Sequence, residues 1–147
     1  MRIEIDQSGK LEHTHKPTIV GFSNSTNKTI IILATEKQKL QKFFRKRAKG
    51  KQYIYTTFAI LIFLLIKNER KISEIFIDRE YPGQEALIKG YLLGFLRKTK
   101  LKIDKKSINF TEIGKAAKIH GIVWKAYQSK KADHKVRAQD IIKICSK

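Results

Sequence analysis

Residues 53–67 begin "YIYTTFAILIFLLI" and carry no charge before Lys67. In a chain where 31% of residues are Asp, Glu, Lys or Arg, an interval apolar on every side must be enclosed on every side. Its most apolar part, "FAILIFLLI" (58–66), is too short for a bilayer, which takes about 20 residues, so no membrane association is expected. Length favours a buried helix, although the β-branched and aromatic "YIYTT" also suits a strand. Either element needs a covering layer on each side. The 147 residues are enough for one domain, 1–147, built around such a core. No repeat, low-complexity tract or Pro/Gly-rich linker divides it.

The segments around this core element alternate or turn in recognisable ways. "RIEID" places Ile3 and Ile5 on one face and Glu4 and Asp6 on the other, which predicts a first strand. "TIVGFSN" and "KTIIIL" predict two more strands joined by the polar "SNSTN". "TEKQ" (35–38) fits a capping box opening a basic helix over 36–49 that Gly50 would end. "SEIFID" reads as a short buried strand broken by Pro82 and Gly83. "QEALIKGYLLGFLRK" follows as a helix with Leu87, Ile88, Tyr91, Leu92 and Phe95 inward. "SINFTEI" predicts a fifth strand ending at Gly114, and two helices, 115–128 and 133–144, close the chain. The sum is an α/β fold: a mixed five-stranded sheet with helices on its faces.

Charge sets the expected partner. Lys and Arg number 32 against 13 Asp and Glu, a formal net charge of +19. Such a field attracts polyanions, and nucleic acid gains further because each neutralised phosphate releases counterions. Lysine-rich usage can also reflect thermal adaptation, but so few compensating acids favour DNA or RNA. Lys39, Lys42, Arg45, Lys46 and Lys49 fall on the basic helix, and Lys130, Lys131, Lys135 and Arg137 form a C-terminal cluster. Both are candidate phosphate contacts, which position a substrate without reading its sequence. Phe43 and Phe44 follow helical spacing and are expected to pack inward. A single cysteine, Cys145, excludes an internal disulfide and a cysteine-rich zinc site. It fits a reducing, cytoplasmic compartment, and "MRIEIDQSGK" lacks the apolar stretch of a signal peptide. No HExxH, Walker lysine loop or GxGxxG occurs.

Against this background the scarce acids gather. "IFIDREYPGQEALIK" (75–89) places Asp78, Glu80 and Glu85 just after an apolar run. The element order, with Asp6 in "IEID" and Asp78 in "IFID", resembles the ribonuclease H-like fold. The stretch "IGKAAKIHGIVWKAYQSKKADHKVRAQDIIKIC" (113–145) is similar to the end of RuvC-type Holliday-junction resolvases, where a strand ends in glycine and a last helix carries acids. The resemblance implies three antiparallel strands, then helix–strand alternation, with strands one and four as parallel neighbours. It places Asp6 at the centre of the first strand and Asp78 at the end of the fourth, as carboxylates of one site. Two departures stand out. Asp133 and Asp140 are seven residues apart where those resolvases carry acids three apart, and "DQSGK" replaces a proline–glycine pair after the first Asp.

Two carboxylates about 5 Å apart at an effective dielectric near 20 repel by roughly 3 kcal/mol, so a proton or cation must lie between them. Oxygen donors at that spacing suit Mg²⁺ or Mn²⁺, and such ions support phosphodiester hydrolysis by a two-metal mechanism. The expected catalytic set is Asp6, Asp78 and Asp140, with Asp6 shared between two ions and water as nucleophile. Asp133 is the alternative to Asp140, and Glu80 or Glu85 completes the shell. Duller readings stand beside these. Asp78 also suits a turn, Glu85 the positive end of a helix dipole, and Asp133 an N-cap. His120, on the stripe Ala116, His120, Val123 and Tyr127, is expected to be a hydrogen-bonded core residue, and His134 a surface one. The expected activity is thus a divalent-metal-dependent nuclease. The alternatives are a non-catalytic nucleic-acid-binding protein on the same fold, or a strand-transfer enzyme using Asp6, Asp78 and Glu85. Whether the chain is a monomer or a homodimer is left open.

Overall fold

The structure, a computed structural model, describes residues 1–146. Six strands and five helices follow one another as β1 (Arg2–Ser8), β2 (Thr18–Ser23), β3 (Asn27–Ile32), α1 (Ala34–Lys46), α2 (Gln52–Ile66), β4 (Glu74–Asp78), α3 (Glu85–Leu96), β5 (Ile108–Thr111), α4 (Lys118–Ser129), β6 (His134–Val136) and α5 (Ala138–Cys145). The strands form one mixed sheet in the order β5-β4-β1-β2-β3-β6. β2 is antiparallel to both β1 and β3, whereas β4 on β1, β5 on β4 and β6 on β3 are parallel pairs. The sheet therefore has six strands, not five. His134–Val136, expected inside the last helix, is extended and pairs with Ile30–Ile32. Three residues are too few to show a period, and only the exposed edge of β3 supplies their hydrogen bonds.

Alternation sorts the side chains into two unequal faces. Ile3, Ile5, Val20, Phe22, Ile30, Ile32, Ile75 and Ile77 are all buried and join one apolar cluster with residues of α1, α2, α3 and α5. At its centre α2 buries Phe58, Ala59, Ile60, Leu61 and Ile62, one after another. The apolar run is thus a helix wrapped on all sides, each large side chain contributing about 1.5–3 kcal/mol. The other face is covered by α4, where Ile119, Val123 and Ala126 meet Ile19 and Ile31. Gly21 lets α4 come close, since a Cβ there would stand 2.9 Å from a Val123 methyl.

Several local expectations shift. α1 starts at Ala34, with Leu33 as its N-cap and no capping side chain. Thr35 lies inside the helix, and the Gln38 amide donates instead to the Thr14 carbonyl. The helix stops at Lys46, and the residue with positive φ after it is Ala48, not Gly50. On α3, Ile88, Leu92 and Leu96 are buried, while Leu87 is 39% exposed. Lys37 is fully buried, its ammonium donating to the carbonyls of Lys10, His13 and Lys16 and to Thr18 Oγ1. It clamps the β1–β2 connection onto α1. Among the described residues no helix is long and apolar enough to cross a membrane.

The chain runs from β1 through β2 to β3 in one direction and from β4 to β5 in the other, so the order reverses between β1 and β4. At such a reversal the connections leaving the carboxyl ends diverge and open a crevice.

Candidate metal centre

The β1–β4 register pairs Ile5 with Ile77. One step further, Asp6 and Asp78 stand opposite each other on the α4 face, at the carboxyl end where the strand order reverses. Asp6 is 3% exposed; its Oδ1 accepts from the Gln7 backbone N–H at 2.8 Å and its Oδ2 lies 3.1 Å from His120 Nδ1. Asp78, half-buried, accepts from the Ile113 N–H at 2.7 Å, which ties the exit of β5 to the site. Beyond Asp78 the chain turns so tightly that the Glu80 N–H donates to the Asp78 carbonyl at 2.9 Å. This brings Glu80 back over the strand ends. Asp6, Asp78 and Glu80 each offer a carboxylate oxygen within 4.8 Å of the others.

Crowding shows in the acidities. Burial raises the Asp6 pKa above the usual carboxylate value, with Asp78 adding to the rise and the Gln7 N–H and His120 opposing it. Glu80 is pushed up to about 8, first by burial, then by its hydrogen bond and charge contact with Asp78, then by Asp6, with Lys10 opposing. The cluster thus retains a proton near neutrality, as expected for carboxylates sharing a site without a cation. Among the described residues no Lys or Arg lies within ion-pair distance of any of the three. Three oxygen donors, one of them holding a displaceable proton, form a set that Mg²⁺ or Mn²⁺ fits.

The other expected ligands lie elsewhere. Glu85 pairs with Arg79 at 3.4 Å in the first turn of α3 and is not part of the cluster. Asp140 caps its own helix: its Oδ2 accepts from the Arg137 N–H at 3.0 Å and lies 4.0 Å from the Arg137 side chain. Asp133 is not on a helix; its Oδ2 accepts from the Thr29 N–H at 2.8 Å, and its own N–H donates to Thr29 Oγ1. Both flank β6 at the edge of the sheet, and β6 is three strands, about 14 Å, from β1. Asp140 and Asp133 are therefore not partners of Asp6. The basic residues expected beside them, Lys130, Lys131, Lys135 and Arg137, are exposed at that same distant edge. Lys39, Lys42, Arg45, Lys46 and Lys49 are exposed on and just after α1, whose Leu40 and Phe44 join the other face's core.

His120 is hydrogen-bonded as expected, but it sits at the site's margin and not in the core. It is 38% exposed and reaches Asp6. The buried stripe of α4 is Ile119, Val123 and Ala126; it shares Val123 with the stripe expected but takes Ile119 and Ala126 in place of His120 and Tyr127. A histidine flanking such a stripe, on the helix following the strand beside Asp78, was the available signal. His134 is exposed on β6.

No family model, no curated protein and no solved structure matches this chain.

Proposed function

We propose that this protein is a divalent-metal-dependent nuclease with a ribonuclease H-like sheet, hydrolysing phosphodiester bonds in DNA or RNA. The observation that carries the reading is the convergence of Asp6, Asp78 and Glu80 within 4.8 Å, with no lysine or arginine at ion-pair distance among the described residues, on a chain of formal net charge +19. Strand order adds support, since β4 lies parallel to β1 with β5 beyond it and β2 and β3 on the other side.

Asp6, Asp78 and Glu80 would hold Mg²⁺ or Mn²⁺, which when bound supplies an activated water and neutralises charge on the phosphodiester oxygens. The chain's own part is positional. β1 and β4 present two carboxylates from the sheet, and the Gln7 and Ile113 N–H groups each donate to one oxygen, Oδ1 of Asp6 and Oδ1 of Asp78. His120 orients the second oxygen of Asp6, as an outer partner steadies a metal-binding carboxylate. Glu80, which holds its proton while the cluster is crowded, would give that proton to solvent on binding such an ion. The exposed lysines retain the polyanion.

Calorimetric titration with Mn²⁺ tests the reading. Saturable binding at or below millimolar concentration, lost in Asp6→Asn and Asp78→Asn, is expected. Cleavage of junction, hybrid or single-stranded oligonucleotides should vanish in the same variants while binding persists. Absence of Mn²⁺ binding with and without oligonucleotide would overturn the enzyme reading and leave the non-catalytic one.

A further inference from the structure

The helix that brings His120 to Asp6 carries an aromatic surface that metal binding does not use. Trp124 stands one turn after His120, about 6 Å along the axis, and on the same side of the helix. It is 49% exposed, whereas its stacking partner Tyr127 is half-buried; the ring centroids are 6.0 Å apart and the planes 15° from parallel. Tyr127 is seated in turn. It lies against Gly9, just past the end of β1, where a Cβ would come within 2.7 Å of the ring and φ is +79°. A turn with no side chain thus makes room for Tyr127, and Tyr127 backs the indole. The exposed lysines Lys10 and Lys16 neighbour this seat on the β1–β2 connection, and Lys118 and Lys125 lie along α4.

We propose that Trp124 is a stacking platform for an unpaired nucleobase next to the metal centre, so that the substrate is nucleic acid with an extruded, terminal or single-stranded base. This rests on the nuclease reading for the class of ligand. A flat ring can stack only on a base with a free face, and bases inside a continuous duplex have none. Lysines around an aromatic plane match a phosphate backbone carrying such a base. A second copy of the chain fits less well: like charge opposes self-association, and one exposed indole falls far short of the roughly 1,600 Å² of a stable interface.

Trp124 is the only tryptophan, so intrinsic fluorescence reports this position alone. Titration in EDTA with a short single-stranded oligonucleotide should quench it strongly, and the blunt duplex of the same sequence should quench it weakly. By anisotropy of a labelled oligonucleotide, Trp124→Ala should weaken single-strand binding about tenfold and duplex binding little. Trp124→Phe should restore most of the single-strand affinity, which guards against a folding defect. Saturation without quenching, equal losses for both substrates, or no binding at all would overturn the proposal. So would a blue shift of the emission with protein concentration alone, the mark of a second copy covering the ring. Because EDTA removes the cation, quenching that survives a failed Mn²⁺ titration separates this platform from the nuclease reading.

Discussion

On one face of the sheet Ile3, Ile5, Val20, Phe22 and Ile77 merge with four helices into a single apolar cluster. On the other, Asp6 is covered and Gly21 closely approached by α4, while Asp78 lies at the boundary where that cover ends. The same strands make both faces, since neighbouring residues point opposite ways. The first face is held mainly by area removed from water, and polar groups buried there are tied to neutral partners, as the Tyr53 hydroxyl donates to the Leu11 carbonyl and the Lys37 ammonium to backbone carbonyls and Thr18. The second has a smaller apolar patch under α4 and also buries an ionisable group, Asp6, whose contacts with the Gln7 N–H and His120 depend on its protonation. The larger apolar core is on one side, and the proposed chemistry on the side where cover is incomplete.

The sharpest break of this contrast is a substitution on each face. Phe58→Ala, in the wrapped helix and 1% exposed, should cost about 3–5 kcal/mol in denaturant unfolding. Cleavage per folded molecule should be unchanged. Asp6→Asn should do the opposite, lowering cleavage more than about a hundredfold. Its melting temperature should hold or rise, because the amide still accepts from the Gln7 N–H and cannot carry the charge that burial disfavours. A melting temperature that collapses in Asp6→Asn would place stability on both faces and erase the comparison.

His120→Ala sharpens it at the α4 seam. Removing the partner of Asp6 Oδ2 should lower Mn²⁺ affinity about 10–100-fold by calorimetry, with little change in unfolding. The smallest expected effect is pH dependence. Glu80 has a folded pKa of about 8 against an ordinary 4.5, so between those values the native state keeps a proton that the unfolded chain releases. Stability of the metal-free protein should therefore be highest below about pH 4.5 as far as this group is concerned, and should fall as pH rises through about 8. Glu80→Gln should flatten that slope. Saturating Mn²⁺, which binds the deprotonated cluster, should raise the melting temperature more at pH 8 than at pH 6.

Much of the first face was legible. Alternation in "RIEID" and "KTIIIL" and the length of the apolar run identified β1, β3 and α2, because burial of period-two and all-round apolar segments is a local property. β6 was not legible. Its pairing belongs to the edge of β3, a hundred residues earlier in the chain, and the three residues carry no pattern of their own. The site was half legible: Asp6 and Asp78 stood out as strand-borne acids. Glu80 was one of several candidates and was singled out only by the turn after Asp78. Asp140 and Glu85 attracted attention for their type and spacing, yet each is occupied by an arginine or a helix end close by.

Residue order alone determined that this chain folds around α2, that its strands have one oily side, and that a polyanion is its expected partner, since hydropathy and charge sum without reference to shape. Only the tertiary structure decided which acids meet. Asp6 and Asp78 come together because β4 inserts in parallel register beside β1, and His120 joins them through the rotation of α4 about its axis. Contact between groups distant in sequence depends on strand order and helix phase, which arise when whole elements pack, and no local window of residues encodes them.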